Sequence, residues 1–338
     1  RFMDLFSMNL LMFIFFISSL TMFMSGLVAN FEYNFKKIIA LSTLSQLGLM
    51  ISVLSLGEEV LAFFHLLMHA LFKALLFMCA GLMIHNLSGC QDIRYMGSLV
   101  MNFPLTSCFF NICNMSLCGL PFLSGFYSKD LILEFMSSSF FGIYVYFIFY
   151  LSVGLTTSYS VRLLNYTLIK NCKMFCYFFV NDFNNKMLLG MFGLIFFVIF
   201  SGSMMSWLIF STPFFICLPI FLKINVLLMI LFGLMMGWLV SFFNMNDYSI
   251  SLEFYNVFYF MSFMWNLSFL STLGLNYYFL MNGVKFFDLL DQGWSEYWGS
   301  QNLFSLLKRE STIVQIMYNN NLKIFLMLIL IWIWLLIF

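Results

Sequence analysis

The sequence predicts an all-α polytopic membrane protein. Of 338 residues 63% are hydrophobic and 9% charged, against about a quarter charged in an average soluble domain. Several stretches reach or approach the roughly 20 apolar residues that carry a helix across the hydrocarbon core. In lipid every backbone N–H and C=O must be satisfied within the chain, which favours helices over open sheets.

Each element follows from hydropathy, with charges and Gly/Pro clusters as punctuation. A first span covers about 6–29 and ends at the polar stretch from Asn30 to Lys37. A second covers about 38–56. After Gly57, Glu58 and Glu59 a third runs over about 60–84 and closes at His85 to Arg94. The apolar run at about 98–135 is too long for one crossing and is broken by Gly119, Pro121 and Gly125. Such a break inside the membrane frees backbone groups that must line protein or water. Further spans fall at about 139–164, 187–210 and 218–243, separated by solvated loops holding Lys170, Lys173, Asp182 and Lys186. Residues 254–281 are apolar and aromatic but crowded with Asn, Ser, Tyr and Gly, which leaves a crossing and an interfacial hairpin both open. From about Val284 to Tyr318, aromatic and aliphatic residues recur among Asp288, Asp291, Glu296, Lys308, Arg309 and Glu310. That pattern predicts an amphipathic helix on a membrane surface or against partner helices, interrupted at Gly293 or Gly299. The run from Leu322 to Phe338 has one charge, Lys323 at its start, where it can snorkel, and reads as a terminal anchor.

Composition also excludes functions. The net charge is +1, with no basic run long enough to hold nucleic acid. Cys79, Cys108, Cys113 and Cys118 lie in apolar stretches without a C-x-x-C pair or a His at ligand spacing, and read as buried free thiols. No metal site is expected. The chain begins with Arg1 and has no cleavable leader pattern, so an upstream part is expected to have been removed by processing, gene splitting or truncation. The 48 Phe and 27 Met suit AT-rich codon usage of a mitochondrial genome.

The third span carries the chemistry. His65, His69 and Lys73 are spaced i, i+4, i+8, so on a helix they drift through only about 80° while climbing about 12 Å. An ionisable group at bilayer depth costs about 3 kcal/mol, so three on one stripe must face a bundle interior or water. His changes protonation near neutral pH and a desolvated Lys can be brought towards it, so the stripe suits a proton relay. The alternatives are polar helix packing and metal or haem ligation by the His pair, the latter lacking a third ligand. A second constellation joins the break at Pro121 and Gly125 to Lys129 and Asp130, where half-helix dipoles and free carbonyls can stand beside a charge; its alternative is an interfacial turn with Lys129 snorkelling. Lys36 and Lys37 head the second span and precede Ser42, Thr43, Ser45 and Gln46.

Residues 29–48 (ANFEYNFKKIIALSTLSQLG), 64–77 (FHLLMHALFKALLF), 119–130 (GLPFLSGFYSKD) and 291–297 (DQGWSEY) closely resemble the chain 5 family of mitochondrial NADH–ubiquinone oxidoreductase, and the likeness is insect-like and covers essentially the whole chain. The resemblance implies the second inverted repeat of an antiporter-like fold, with a broken transmembrane helix, followed by a lateral amphipathic helix and a terminal anchor. It divides the chain into an antiporter-like repeat with a proton axis (1–165), additional helices and an interfacial segment (166–283), the lateral helix (284–320) and the anchor (321–338). It implies a proton-translocating subunit of the complex I membrane arm in the mitochondrial inner membrane, partnered by membrane lipids and neighbouring antiporter-like subunits. NADH, FMN, iron–sulfur clusters and ubiquinone would be used elsewhere in the complex, with no cofactor and no redox chemistry on this chain. The implied pathway runs through His65, His69 and Lys73 to Lys129 and Asp130 on the exit side, with Lys37 near the second half-channel. By the resemblance the chain is expected to start just after the first repeat's broken helix, without that repeat's upstream intramembrane Glu and Lys, and Glu58 and Glu59 form a more acidic turn than the family's pattern leads one to expect. Two rivals remain: a stand-alone sodium or potassium/proton antiporter, against which residues 284–338 argue, and a structural clamp, which predicts dry surroundings for the stripe.

Overall fold

A computed structural model describes residues 3–138, 142–173, 182, 185–212, 216–242, 254–319 and 321–338. Parts of several expected segments, including the start of the 139–164 span and residue 320, lie outside these. Among the described residues the chain is helical, apart from an isolated antiparallel bridge between Asn34 and Asp92. Two compact units are present, residues 1–265 and 266–338.

The first unit is a helix bundle. α1 (Met8–Phe31), α2 (Phe35–Ser55) and α3 (Glu59–Asn86) match the first three expected spans. Asn34 caps α2, its side-chain oxygen accepting from the amides of Lys36 at 3.1 Å and Lys37 at 3.5 Å. The cap satisfies donors that a helix start otherwise leaves free. The 98–135 run folds as a short α4 (Leu99–Asn102), α5 (Pro104–Cys118) and α6 (Ser124–Ser138), as the Gly/Pro punctuation predicts. Pro104 opens α5, where its missing N–H costs nothing. Gly119 ends it at φ +85°, in the left-handed region that favours glycine. α7 (Gly142–Leu164) closes with a π-helical turn, Asn165–Ile169, and is followed by α8 (Asn185–Ile209), α9 (Ile220–Phe242) and α10 (Tyr255–Ser262).

α3 lies at the centre, packed on α2, α5, α6 and α8, while α1 lies between α2 and α7, and α9 covers α7. One core joins Val28, Phe35, Phe64, Phe72, Phe110 and Tyr159; a second joins Phe15, Leu61, Ile132 and Phe149. α9 approaches α7 to backbone contact, with Gly233 against Gly154 and Thr157, and Gly237 against Ser158. This is the small-residue spacing that lets membrane helices pack closely where the hydrophobic effect gives little drive. Trp207, Phe221, Met235 and many other large apolar side chains of α8 and α9 point outward. Among the described residues six helices, α1, α2, α3, α7, α8 and α9, are long and apolar enough to cross a membrane. The chain is a multi-pass membrane protein.

Residues 254–281 hold two helical stretches on either side of a turn. α10 ends at Ser262, and Met264, Trp265 and Asn266 turn the chain with positive φ. In the second unit a helix then begins at Phe269 and continues to Tyr318: a π-helical piece (Phe269–Leu273), α11 (Gly274–Phe286), π-helical pieces at Phe287–Ser295 and Tyr297–Gln301, and α12 (Asn302–Tyr318). The amphipathic helix therefore starts before Val284 and is not interrupted at Gly293 or Gly299. The glycines are absorbed because a π-type stretch tolerates local unwinding. At about 1.5 Å per residue the rod is on the order of 70 Å long. α13 (Leu322–Ile337) is apolar throughout except for Lys323. Of the cysteines read as buried, Cys79, Cys113 and Cys118 are, but Cys108 is exposed. An apolar stretch specifies lipid and protein neighbours alike, and Cys108 faces outward from α5.

Candidate functional site

His65, His69 and Lys73 line the face of α3 that looks into the bundle and are 1%, 8% and 4% exposed. His65 and Lys73 meet polar side chains from other helices. His65 Nδ1 is 2.9 Å from Ser128 Oγ on α6, and its Nε2 is 3.2 Å from Gln46 Oε1 on α2. One ring nitrogen thus faces an amide oxygen, which can only accept, so Nε2 carries the proton and Nδ1 accepts from Ser128. The His65 and His69 rings stand 6.3 Å apart, and His69 lies edge-on to Phe72 at 5.3 Å. His69 Nε2 is buried without a hydrogen-bond partner among the described residues. Lys73 Nζ donates to Ser42 Oγ on α2. The Tyr159 hydroxyl of α7 lies beside Ser42 and Ser45. Small hydroxyls suit these places because each donates to a carbonyl of its own helix, as Ser42 does to Ile39 at 2.7 Å and Ser45 to Ser42 at 2.9 Å, and still offers a lone pair to a neighbour.

Lys129 enters from α6 and is 3% exposed. Its Nζ donates to the Leu117 carbonyl at 3.3 Å and to Thr156 Oγ1 of α7 at 2.9 Å. The helix break makes this possible. Leu117 stands in the last turn of α5, where carbonyls lack intrahelical partners and the helix dipole favours a cation. Gly125 lets α6 start close by: a Cβ there would collide with the Ser116 carbonyl. Lys129 is within electrostatic reach of both His65 and Lys73. The snorkelling alternative for Lys129 is therefore removed by its burial.

Four of the six expected residues, His65, His69, Lys73 and Lys129, come together in one buried polar row. The other two do not join it. Asp130 is half-buried, sits about 100° around α6 from Lys129 and makes no ion pair with it. Lys37 is exposed at the mouth of α2, its side chain 64% accessible, 3.9 Å from Glu32 Oε1. Among the described residues no cluster of His, Cys, Asp and Glu could hold a metal ion.

Sequence reasoning passed over Arg162. It is buried on α7, donates to the Asn30 carbonyl and at 3.4 Å to that of Ala29, and so caps the end of α1. Its guanidinium lies 4.7 Å from the Tyr33 ring and 5.8 Å from that of Tyr166. Arg94 stacks on Tyr33 at 4.4 Å and Lys170 on Tyr166 at 4.0 Å. Arg94, Tyr33, Arg162, Tyr166 and Lys170 make an alternating ladder of cations and rings that ties α1, α7 and the loop after α3. Burial, then the neighbouring Lys173 and Arg162, hold Lys170 below the usual lysine range. A single Arg near a span end reads as snorkelling, and only the fold brings the two tyrosines to it.

Residues 159–338 match the family model for the C-terminus of NADH dehydrogenase subunit 5, and residues 1–156 match the one for the transmembrane region of NADH:quinone oxidoreductases and Mrp antiporters. NADH-ubiquinone oxidoreductase chain 5 of Aedes aegypti is 50% identical over 95% of this chain and 55% of its own length. That of Locusta migratoria is 48% identical over 96% and 57%. That of Lumbricus terrestris is 36% identical over 89% and 52%. The chain spans about half the length of the curated relatives it matches. It belongs to the NADH-ubiquinone oxidoreductase chain 5 family.

Proposed function

We propose that this chain conducts protons in the membrane arm of respiratory complex I, in the mitochondrial inner membrane, beside neighbouring antiporter-like subunits. The observation that carries the reading is the buried row Lys73, His69, His65 and Lys129, whose hydrogen-bond partners are hydroxyls, an amide and a carbonyl, with no carboxylate among the described residues paired to it. Two lysines and two imidazoles in apolar surroundings cannot all be charged, because each added proton is penalised by desolvation and by its neighbours. A charge that arrives at one end of the row therefore displaces a proton at the other. Redox-driven events elsewhere in the complex would alter the charge next to Lys73, and the change would pass through His69 and His65 to Lys129. His65 keeps its Nε2–H on Gln46 and can take and return a proton at Nδ1, whose neighbour Ser128 is a hydroxyl able both to accept and to donate. His69 Nε2, buried and without a partner among the described residues, is a place for a buried bridging water. NADH, FMN, iron–sulfur clusters and ubiquinone act on other subunits, and residues 269–318 supply an apolar-faced rod to engage neighbours and lipid. The test replaces Lys129 or His69 by Ala in the assembled enzyme. The proton-to-electron ratio is expected to fall; an unchanged ratio would overturn the reading.

A further inference from the structure

The ladder of cations and rings stands where α1 and α7 end and α2 begins. Chain segments 30–37, 85–98 and 162–173 gather there, with Lys36, Lys37, Arg94, Arg162, Lys170 and Lys173 against two carboxylates, Glu32 and Asp92. Both carboxylates are engaged, Glu32 3.9 Å from Lys37 and Asp92 3.6 Å from Arg94. Asp182 is committed elsewhere, accepting from the Leu105 amide at 3.1 Å and the Thr106 hydroxyl at 3.3 Å at the start of α5. Helix capping accounts for part of the excess charge. Arg162 caps α1, and Lys170 Nζ donates to the Ser241 carbonyl in the last turn of α9. Neither cap exhausts its group, since a guanidinium carries five donors and an ammonium three. Arg94 and Lys173 cap no helix among the described residues, and both are exposed. The backbone holds these cations together: Lys173 N–H donates to Tyr95 O at 3.3 Å and Ser98 N–H to Lys170 O at 2.7 Å. Gly97 permits that approach, because a Cβ there would lie 2.5 Å from the Asn171 carbonyl oxygen.

Lipid-facing surface adjoins the charge. Trp238 and Phe242, in the last turn of α9, stack with centroids 5.6 Å apart and are 52% and 61% exposed. Ile169, next to Lys170 in the chain, is 68% exposed. Exposed aromatic rings at the end of a span belong to the boundary between headgroups and acyl chains. Arg94, Arg162, Lys170 and Lys173, crowded at that boundary, repel one another unless an anion lies among them. A phosphodiester suits them, since its oxygens accept from forked guanidinium and from ammonium groups alike. Basic pockets between membrane helices hold anionic headgroups in this way. We propose that the ladder is a binding site for an anionic phospholipid, its headgroup phosphate taken by Arg94, Lys170 and Lys173 and its acyl chains lying on Ile169, Trp238 and Phe242. Tyr33 contacts both Arg94 and Arg162, and Tyr166 both Arg162 and Lys170, so the rings hold the cations in place without using their N–H groups. Free phosphate would meet the same cations but would leave the apolar surface uncovered. The site is independent of whether the chain conducts protons.

The test places the assembled enzyme in phosphatidylcholine nanodiscs holding a trace of phosphatidylglycerol with a photoactivatable diazirine in one acyl chain. The same diazirine on phosphatidylcholine is the neutral probe, and labelled peptides are read by mass spectrometry. Phosphatidylglycerol is expected to label residues 238–242 several-fold more than phosphatidylcholine does, and millimolar inorganic phosphate is expected not to compete. Arg94→Gln and Lys173→Gln are each expected to lower that labelling roughly fivefold. Lys173→Arg is expected to keep it, and Lys223→Gln, near the far end of α9, to leave it unchanged. Arg94, Lys173 and Lys223 are exposed, so these variants are expected to assemble. Unlabelled phosphatidylglycerol is expected to compete on the native enzyme, which decides the question even if a variant fails to assemble. Equal labelling by the two probes would overturn the proposal, pointing to unselective lipid or to an acidic segment of a neighbouring subunit over the ladder. Competition by inorganic phosphate would overturn it in favour of a free-anion site. Labelling unchanged in both Gln variants, or no competition by unlabelled phosphatidylglycerol, would overturn it too.

Discussion

Gly125→Ala tests whether the helix break builds the Lys129 site. Gly125 lies in the first turn of α6, and a methyl group there collides with the Ser116 carbonyl, with Ser116 C only 2.9 Å away. The obstacle is backbone and cannot rotate aside. It is also held in place, since Ser116 O accepts from Gly119 N–H at 3.1 Å and Met115 O from Leu120 N–H at 3.3 Å. Reaching ordinary contact requires α5 and α6 to part by roughly 1–2 Å. Overpacking of this kind costs about 1–3 kcal/mol. The functional effect is larger than the cost in stability. Lys129 sits one turn after Gly125 and bonds Leu117 O at 3.3 Å, so parting the helices breaks that bond. Misplacement by about 1 Å can slow a reaction on the order of 100-fold. The assay is proton pumping by the assembled enzyme in sealed vesicles, beside uncoupled NADH oxidation. Pumping is expected to fall several-fold more than uncoupled oxidation. Gly193→Ala, where a Cβ meets nothing within 4 Å, is the control and is expected to change neither. A Gly125→Ala enzyme that assembles and pumps like the native one would refute the reasoning.

Three other outcomes follow from the same geometry. Lys37→Gln is expected to leave the proton-to-electron ratio unchanged, because Lys37 is exposed and its 3.9 Å pair with Glu32 is worth less than about 1 kcal/mol; a marked fall in the ratio would place it on the pathway after all. Arg162→Met removes the donors that cap α1 at Ala29 and Asn30 and is expected to cost about 2–3 kcal/mol, seen as faster hydrogen exchange of residues around the α1 end or lower yield of assembled enzyme. Gly237→Val forces α9 away from the Ser158 backbone and is expected to reduce assembly, whereas the open Gly190→Val is not.

Much of the architecture is legible in the amino-acid sequence. Hydropathy locates the six long spans to within a few residues, because in lipid the length of an apolar run and its punctuation leave few alternatives. The His65, His69 and Lys73 stripe is legible because helical spacing alone decides which residues share a face. Lys129 is legible as a charge beside a Gly/Pro break, although its acceptors, the Leu117 carbonyl and Thr156, belong to other helices and no spacing announces them. Arg162 is not legible, since its partners at Ala29, Asn30, Tyr33 and Tyr166 are gathered by tertiary contact. Asp130 follows Lys129 in sequence but stands about 100° away on α6, so adjacency alone does not say which neighbours each of them meets. The early start of the long helix at Phe269 escapes the pattern because Asn, Ser and Gly lower helix propensity without forbidding it, and context decides.

The central question is whether the buried row moves protons or merely packs. His69→Gln in the assembled enzyme separates the two, since Gln keeps a hydrogen-bonding side chain of similar reach between His65 and Lys73 but cannot gain or lose a proton near neutral pH. Relay through His69 predicts a reduced proton-to-electron ratio in an enzyme that assembles and oxidises NADH normally when uncoupled. A native ratio in that variant would contradict it and leave the row as helix packing.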